Sequence, residues 1–121
     1  MRTSNRFWTI AVILMASTSA RAAEPVDYVR QIKPILAKHC YACHGSKKQE
    51  SGLRLDTAAS ALKGGESGPA IVPGKSAESL LILAVTGSDL VDRMPLKGKP
   101  LDDGEITLLK TWIDQGAKAP D

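Results

Sequence analysis

Residues Cys40-Tyr41-Ala42-Cys43-His44 hold the only two cysteines of the 121-residue chain, three apart and followed directly by a histidine. On one helical turn this spacing presents two thiols together, with an imidazole beside them. Few chemistries use such a cluster. A structural zinc ion takes four ligands in a tetrahedron, and Cys40, Cys43, His44 and the adjacent His39 are too crowded along one turn to surround it. A dithiol of the thioredoxin kind goes with alternating strands and helices, and that alternation is absent. The reading that remains is the attachment signature for c-type haem. Two thiols add across the two vinyl groups, and the histidine ligates the iron.

The start of the chain reads as a leader. Arg2 and Arg6 flank an apolar stretch from Phe7 to Ala16, and Ala20-Arg21-Ala22 puts small residues where signal peptidase reads them. Residues 1–22 are expected to be removed as a signal peptide, leaving 23–121 as a single domain. Ten apolar residues fall well short of the roughly 20 that cross a bilayer, so an exported, periplasmic and soluble protein is expected. Cleavage removes Arg2, Arg6 and Arg21 and leaves 13 basic against 13 acidic residues. The whole-chain pI of 9.0 is therefore a property of the leader and makes no case for nucleic acid.

Only Tyr28, Tyr41 and Trp112 remain as aromatics after cleavage. A domain this small with so thin a core needs a staple such as a metal or a cofactor. Helical signals are nonetheless legible. The first helix is expected from about Asp27, its N-cap, to Cys43, with Val29, Ile32, Ile35 and Leu36 as its buried stripe. Pro34 should break it near Lys33. Residues 45–74 are rich in glycine and proline and read as a long wrapping loop, with a short helix from about Thr57 to Leu62 capped by Asp56. Ser76 is expected to cap a helix carrying Leu80, Leu81, Leu83 and Ala84 and ending at Gly87. The last helix has Asp102 at its N-cap, Glu105 completing a capping box, Gly116 as its stop, and Ile106, Leu109, Trp112 and Ile113 as its stripe.

An iron held by His44 has one further axial position. Met94 is the only methionine in residues 23–121, in a loop that Pro95 stiffens. His39 lies beside the attachment run, on the wrong side for the opposite face of the ring. Met94 is thus the expected second ligand, with Lys97 and Lys99 as competitors. A thioether stabilises ferrous iron and raises the potential.

The Cys40-to-His44 run, Gly68-Pro69-x-Ile71, the Met94-Pro95 loop and the final helix bearing Trp112 resemble a class I cytochrome c. Val26-Asp27-Tyr28, Ile32 to Leu36, Gly52-Leu53-Arg54-Leu55-Asp56, Ile71 to Lys75, Glu78 to Leu81, Arg93-Met94-Pro95 and Trp112 to Ala117 are more closely similar to the planctomycete-type cytochrome c domain. The resemblance implies a small all-α fold wrapped around one covalent haem c, and an electron-carrying role. It also implies that the Pro69 carbonyl accepts a hydrogen bond from the other ring nitrogen of His44, with Pro73 a rival, and that Ile71 packs on the ring. Arg54 is a candidate partner for a haem propionate, and Trp112 is expected in the core. Two departures stand out. Leu96 occupies a place where that family often has a second proline, and the domain commonly leads a longer protein.

The expected function is that of a mono-haem electron carrier, a monomer serving redox partner proteins of the dehydrogenase or oxidase class, with no membrane span after cleavage. A haem sensor or a weakly peroxidase-like protein with a labile distal site is the alternative. No acid–base pair is available for a distal enzyme site, so no enzymatic role is expected.

Overall fold

The computed structural model describes residues 17, 19 and 23–120. Arg2, Arg6, Phe7 to Ala16 and Ala20 to Ala22, on which the signal-peptide reading rests, lie outside the described residues. Among those described the architecture is all-α, with no strand and two isolated bridges. In order come a π-helical turn Tyr28–Ile32 running into α1 (Lys33–His39), then α2 (Ala58–Lys63), α3 (Leu80–Thr86) and α4 (Asp103–Asp114). Short 3-10 turns at Glu50–Gly52 and Ser76–Glu78 lie between.

Asp27 caps the first element as expected, accepting from the Arg30 N–H at 2.9 Å. Pro34 lacks an N–H, and its ring crowds the carbonyl four residues back. The chain meets this with a wider turn: the Lys33 N–H reaches the Tyr28 carbonyl, five residues behind it. The change of pitch corrects the expected stripe. Val29 turns out to solvent, 52% exposed, and Tyr28 takes its place beside Ile32, Ile35 and Leu36. A second correction is at the far end, where α1 stops at His39 and residues 40–43 form a separate turn.

The last helix has the boundaries the sequence suggests. Asp102 accepts from the Glu105 N–H at 2.8 Å, and Glu105 reaches back to the Asp102 N–H at 3.0 Å. Leu109, Trp112 and Ile113 are buried. Trp112 stacks at 5.4 Å and 33° on Tyr28, so the first and last helices cross through this pair. Its indole N–H donates to the Lys118 carbonyl at 2.8 Å.

The residues after Trp112 act as a clamp. Asp114 accepts from the Ser76 N–H at 2.8 Å and from its hydroxyl at 3.0 Å. Gln115 accepts from the Val26 N–H at 2.8 Å and donates to the Glu24 carbonyl at 3.0 Å. Through Asp114, Ser76 binds α4 and does not cap α3. Asp56 is likewise diverted to Arg54, and Thr57 caps α2 in its place, accepting from the Ser60 N–H at 3.1 Å.

α3 starts only at Leu80 because Ser79 is used for something else. Fully buried, its hydroxyl accepts from the Val72 N–H at 2.9 Å and donates to the Lys75 carbonyl at 2.9 Å. The first turn of α3 is then tied to the same loop by Leu81 N–H donating to the Ala70 carbonyl at 2.9 Å. Ser79→Ala should leave the half-buried Val72 N–H without its partner, a loss of about 1–3 kcal/mol, while the Lys75 carbonyl keeps the Glu78 N–H at 3.2 Å. Urea unfolding of the purified protein should show it as a lower midpoint at unchanged slope.

Candidate functional site

Cys40 to His44 forms one tight turn on the end of α1. The Cys40 and Tyr41 N–H groups both reach the Leu36 carbonyl, at 2.8 and 3.2 Å, and the His44 N–H closes the turn onto the Cys40 carbonyl at 2.8 Å. Both cysteines are free thiols, Cys40 partly buried and Cys43 exposed. Burial, with Cys43 nearby, pushes the Cys40 thiol up to about 11. It is a thiol, not a thiolate, at neutral pH.

The backbone after this turn doubles back at once. Gly45 N–H donates to the Lys48 carbonyl at 2.8 Å, Glu50 N–H to the Cys43 carbonyl at 2.9 Å, and Leu55 N–H to the His44 carbonyl at 2.8 Å. His44 is thus gripped by its own backbone on both sides. A Cβ on Gly45 would lie 2.5 Å from the Tyr41 carbonyl oxygen, so the return needs glycine there. The His44 ring is half-buried, and its Nδ1 is buried with no hydrogen-bond partner.

Met94 is placed from the other side of the fold. α3 ends at Gly87 in the left-handed region, at φ 76 and ψ 44, which leaves late carbonyls free. Ser88 N–H takes the Leu83 carbonyl and Met94 N–H takes the Ala84 carbonyl, each at 3.0 Å. The methionine therefore hangs from the end of α3, half-buried.

α3 is apolar on all sides, and its two faces fare differently. Leu81, Ile82 and Val85 enter the core, whereas Leu80, Leu83 and Ala84 share a face left half-open. The sequence reading gave this helix Leu80, Leu81, Leu83 and Ala84 without dividing them between faces, and the fold buries Leu81 together with Ile82 and Val85. The open face adjoins Met94 through Ala84. It is an apolar surface without a cover among the described residues, and sequence periodicity alone did not separate it from the core face.

The other expected residues are distributed as follows. Ile71 is buried and Pro69 exposed, in the loop whose Ala70 carbonyl receives α3. Tightness there comes from Gly64, where a Cβ would lie 1.9 Å from the Gly68 carbonyl oxygen. Arg54 holds Asp56 through Nε and through Nη2, the latter at 2.9 Å. This pairing keeps the Asp56 carboxyl below its usual range. Tyr28 and Tyr41 bury their hydroxyls without a formed hydrogen bond, and burial, together with each other's proximity, pushes Tyr41 up to about 12. Lys48 pairs with Glu50 at 2.9 Å, while Lys97 and Lys99 are exposed.

His39 is engaged by the last helix. Its Nε2 meets both carboxylate oxygens of Glu105, at 3.2 and 3.1 Å, and Lys38 joins the same carboxylate at 3.3 Å. This ion pair between α1 and α4 was not anticipated from the sequence, since Glu105 was read only as half of a capping box. It also removes His39 from any shared site with Cys40, Cys43 and His44. Among the described residues, no three His, Cys, Asp or Glu side chains gather to hold a metal ion. Partial burial works against charge on Glu105, but the Asp102 N–H, His39 and Lys38 outweigh it and hold the carboxyl below the usual 4.5.

A covalently held haem fits these residues on three counts. Two thiols and an imidazole leave one turn, the imidazole has a buried nitrogen in want of an acceptor, and an apolar helix face beside the single methionine lacks a cover. A family model described as planctomycete cytochrome C matches residues 40–98, from the first cysteine to just beyond Met94. This segment is a cytochrome c-like domain, and covalent haem c goes with that family. No curated protein and no solved structure matches the chain.

Two outcomes follow from the geometry. Gly45→Ala should push the return strand off the Tyr41 carbonyl and lower the yield of coloured, haem-loaded protein severalfold, read by haem stain against total protein. Glu105, lowered in the fold, contributes stability that is present above 4.5 and lost as pH falls through its lowered value. Acid unfolding should therefore show the gap in stability between the parent and Glu105→Gln persisting down to 4.5 and closing only as pH falls further, through the lowered value of Glu105.

Proposed function

We propose that this cytochrome c-like chain is an exported, mono-haem electron carrier. Its haem is attached through Cys40 and Cys43 and ligated by His44 and Met94. The observation that carries the reading is the turn Cys40–His44, which offers two free thiols beside an imidazole whose Nδ1 is buried and unpaired.

Each residue has a distinct part. The thiols of Cys40 and Cys43 would hold the haem by adding their S–H across its two vinyl groups, with no leaving group needed. His44 would ligate the iron through one ring nitrogen, and its buried Nδ1, as N–H, would need an acceptor inside the protein to fix the ring and make it a better donor. Pro69 is the candidate to provide that acceptor, and Ile71 the candidate to pack against the ring. The half-open face of Leu80, Leu83 and Ala84 supplies an apolar wall that excludes water. When bound, haem c supplies a one-electron iron couple, and a thioether from Met94 favours its ferrous form.

Arg54 enters this scheme only by sharing its guanidinium, since Asp56 already occupies two of its donors. His39 offers no rival ligand because Glu105 holds it. No helix among the described residues is long and apolar enough to cross a membrane. With the leader-like pattern of residues 1–22, this supports a carrier working outside the cytoplasm, with cleavage after Ala22. Its partners are redox proteins of the dehydrogenase or oxidase class.

Acid–acetone treatment should leave the colour on the polypeptide, and the mass should exceed that of residues 23–121 by one haem. Clean extraction of the colour would overturn thioether attachment. Met94→Ala should abolish the weak far-red band of thioether ligation in the ferric spectrum, lower the potential and let added imidazole bind. An unchanged spectrum and potential would move the distal position to Lys97 or Lys99 and overturn methionine ligation.

A further inference from the structure

We propose that the loop between α3 and α4 is a self-docking surface, through which two copies of this chain form a weak, salt-sensitive two-fold pair. The surface lies in residues 88–99 and stands whether or not haem is carried by Cys40 and Cys43. A pair of copies takes the place of the monomer that the sequence alone suggested.

Two leucines mark the surface. Leu90 is 80% and Leu96 73% exposed, more than any other large apolar side chain among the described residues, and both lie in this one loop. Between them the loop is tied to the end of α3. Met94 N–H donates to the Ala84 carbonyl at 3.0 Å, and Arg93 lies over Gly87, its Nη1 3.1 Å from where a Cβ there would stand. The leucines thus sit on an anchored segment and leave apolar area in water, which a docked surface would cover.

The charges beside the leucines select the occupant. Asp89 and Asp92 flank Leu90, whereas Lys97 and Lys99 follow Leu96. All four are exposed, and none of them forms an ion pair among the described residues. The acidic end borders an open hollow lined by Ser67, Asp89, Leu90, Val91, Asp92 and Arg93. A uniformly acidic partner would face Asp89 and Asp92, and a uniformly basic one would face Lys97 and Lys99, so either meets like charge at a cost. A second copy carries both ends. Turned about a two-fold axis, it sets Leu96, Lys97 and Lys99 against the hollow at Asp89, Leu90 and Asp92, and the same contact recurs in reverse.

The charge balance of the domain permits this approach. Residues 23–121 hold 13 basic and 13 acidic residues, so two copies meet without repulsion between net charges. A contact of one loop from each copy belongs to the small class of interfaces, below about 1,200 Å², where association is weak and transient. Its ion pairs are open to solvent and therefore screened by salt.

Sedimentation equilibrium of the purified, haem-loaded protein at concentrations up to about 1 mM tests this. The expected result is a monomer–dimer equilibrium that weakens about tenfold as salt rises from about 0.05 to 0.5 M. Asp89→Lys with Asp92→Lys makes both ends of the loop basic, and Lys97→Glu with Lys99→Glu makes both ends acidic. Each variant alone should be monomeric, and an equimolar mixture of the two should pair more tightly than the parent. A parent that stays monomeric, a pairing indifferent to salt, assembly that grows beyond the dimer, or a mixture that fails to pair overturns the proposal. If a charge variant fails to fold, Leu90→Ser with Leu96→Ser decides: loss of the dimer supports the surface and an unchanged dimer overturns it. A parent chain without covalent colour overturns the haem reading alone, since its mass in solution still reports the pairing.

Discussion

The crossing of the first and last helices is the contact on which the rest of the structure depends. At one end Tyr28 stacks on Trp112. At the other, His39 and Lys38 meet Glu105. Between these points α1 has neither freedom to roll nor to slide, so the turn that follows it begins from a set position and direction. Cys40, Cys43 and His44 come off that turn. A residue's error in the register of α1 would rotate all three by about 100° and scatter the thiols away from any planar group they must share. The π turn at Tyr28–Ile32 serves the same end: it absorbs Pro34 without shifting the helix beyond it.

The second half of the candidate site is built from a different part of the chain and tied on by backbone. α3 receives the Ala70 carbonyl at its start and gives the Ala84 carbonyl to Met94 at its end, so Ile71 and Met94 are positioned by opposite ends of one short helix. Seven residues make too short a helix to persist alone, and Ser79, Leu81, Ile82 and Val85 provide the burial that keeps it. Its other face has no such support. Leu80, Leu83 and Ala84 remain half-open, which leaves apolar area in water unless a cofactor lies across it. A domain with three aromatics in residues 23–121 has little other apolar surface to recruit.

Much of this was legible in the residues themselves. Asp27, and Asp102 with Glu105, mark helix starts by side-chain chemistry that acts over three or four positions, and the structure has both caps. The all-α class, which the family resemblance implied, agrees with these local signals. What could not be read was set by distant partners. Ser76 has the look of a cap, but Asp114, 38 residues on, claims it. Asp56 is taken by Arg54, Val29 is turned outward by the π pitch, and Ser79 delays α3 in order to satisfy Val72 and Lys75. The site divides the same way. The Cys40–His44 spacing is local and can be read from the residues, whereas the open face of α3 and the His39–Glu105 pair exist only once helices are packed.

The pairing of His39 bears on which kind of haem chemistry the fold permits. A peroxidase-like site needs a mobile acid–base group near an open iron position. The one histidine free for that duty is nearly buried, bonded to a carboxylate, and joined by backbone to the proximal run. What such a residue does is structural: it pins the end of α1 to the first turn of α4, and the attachment turn starts from that fixed point.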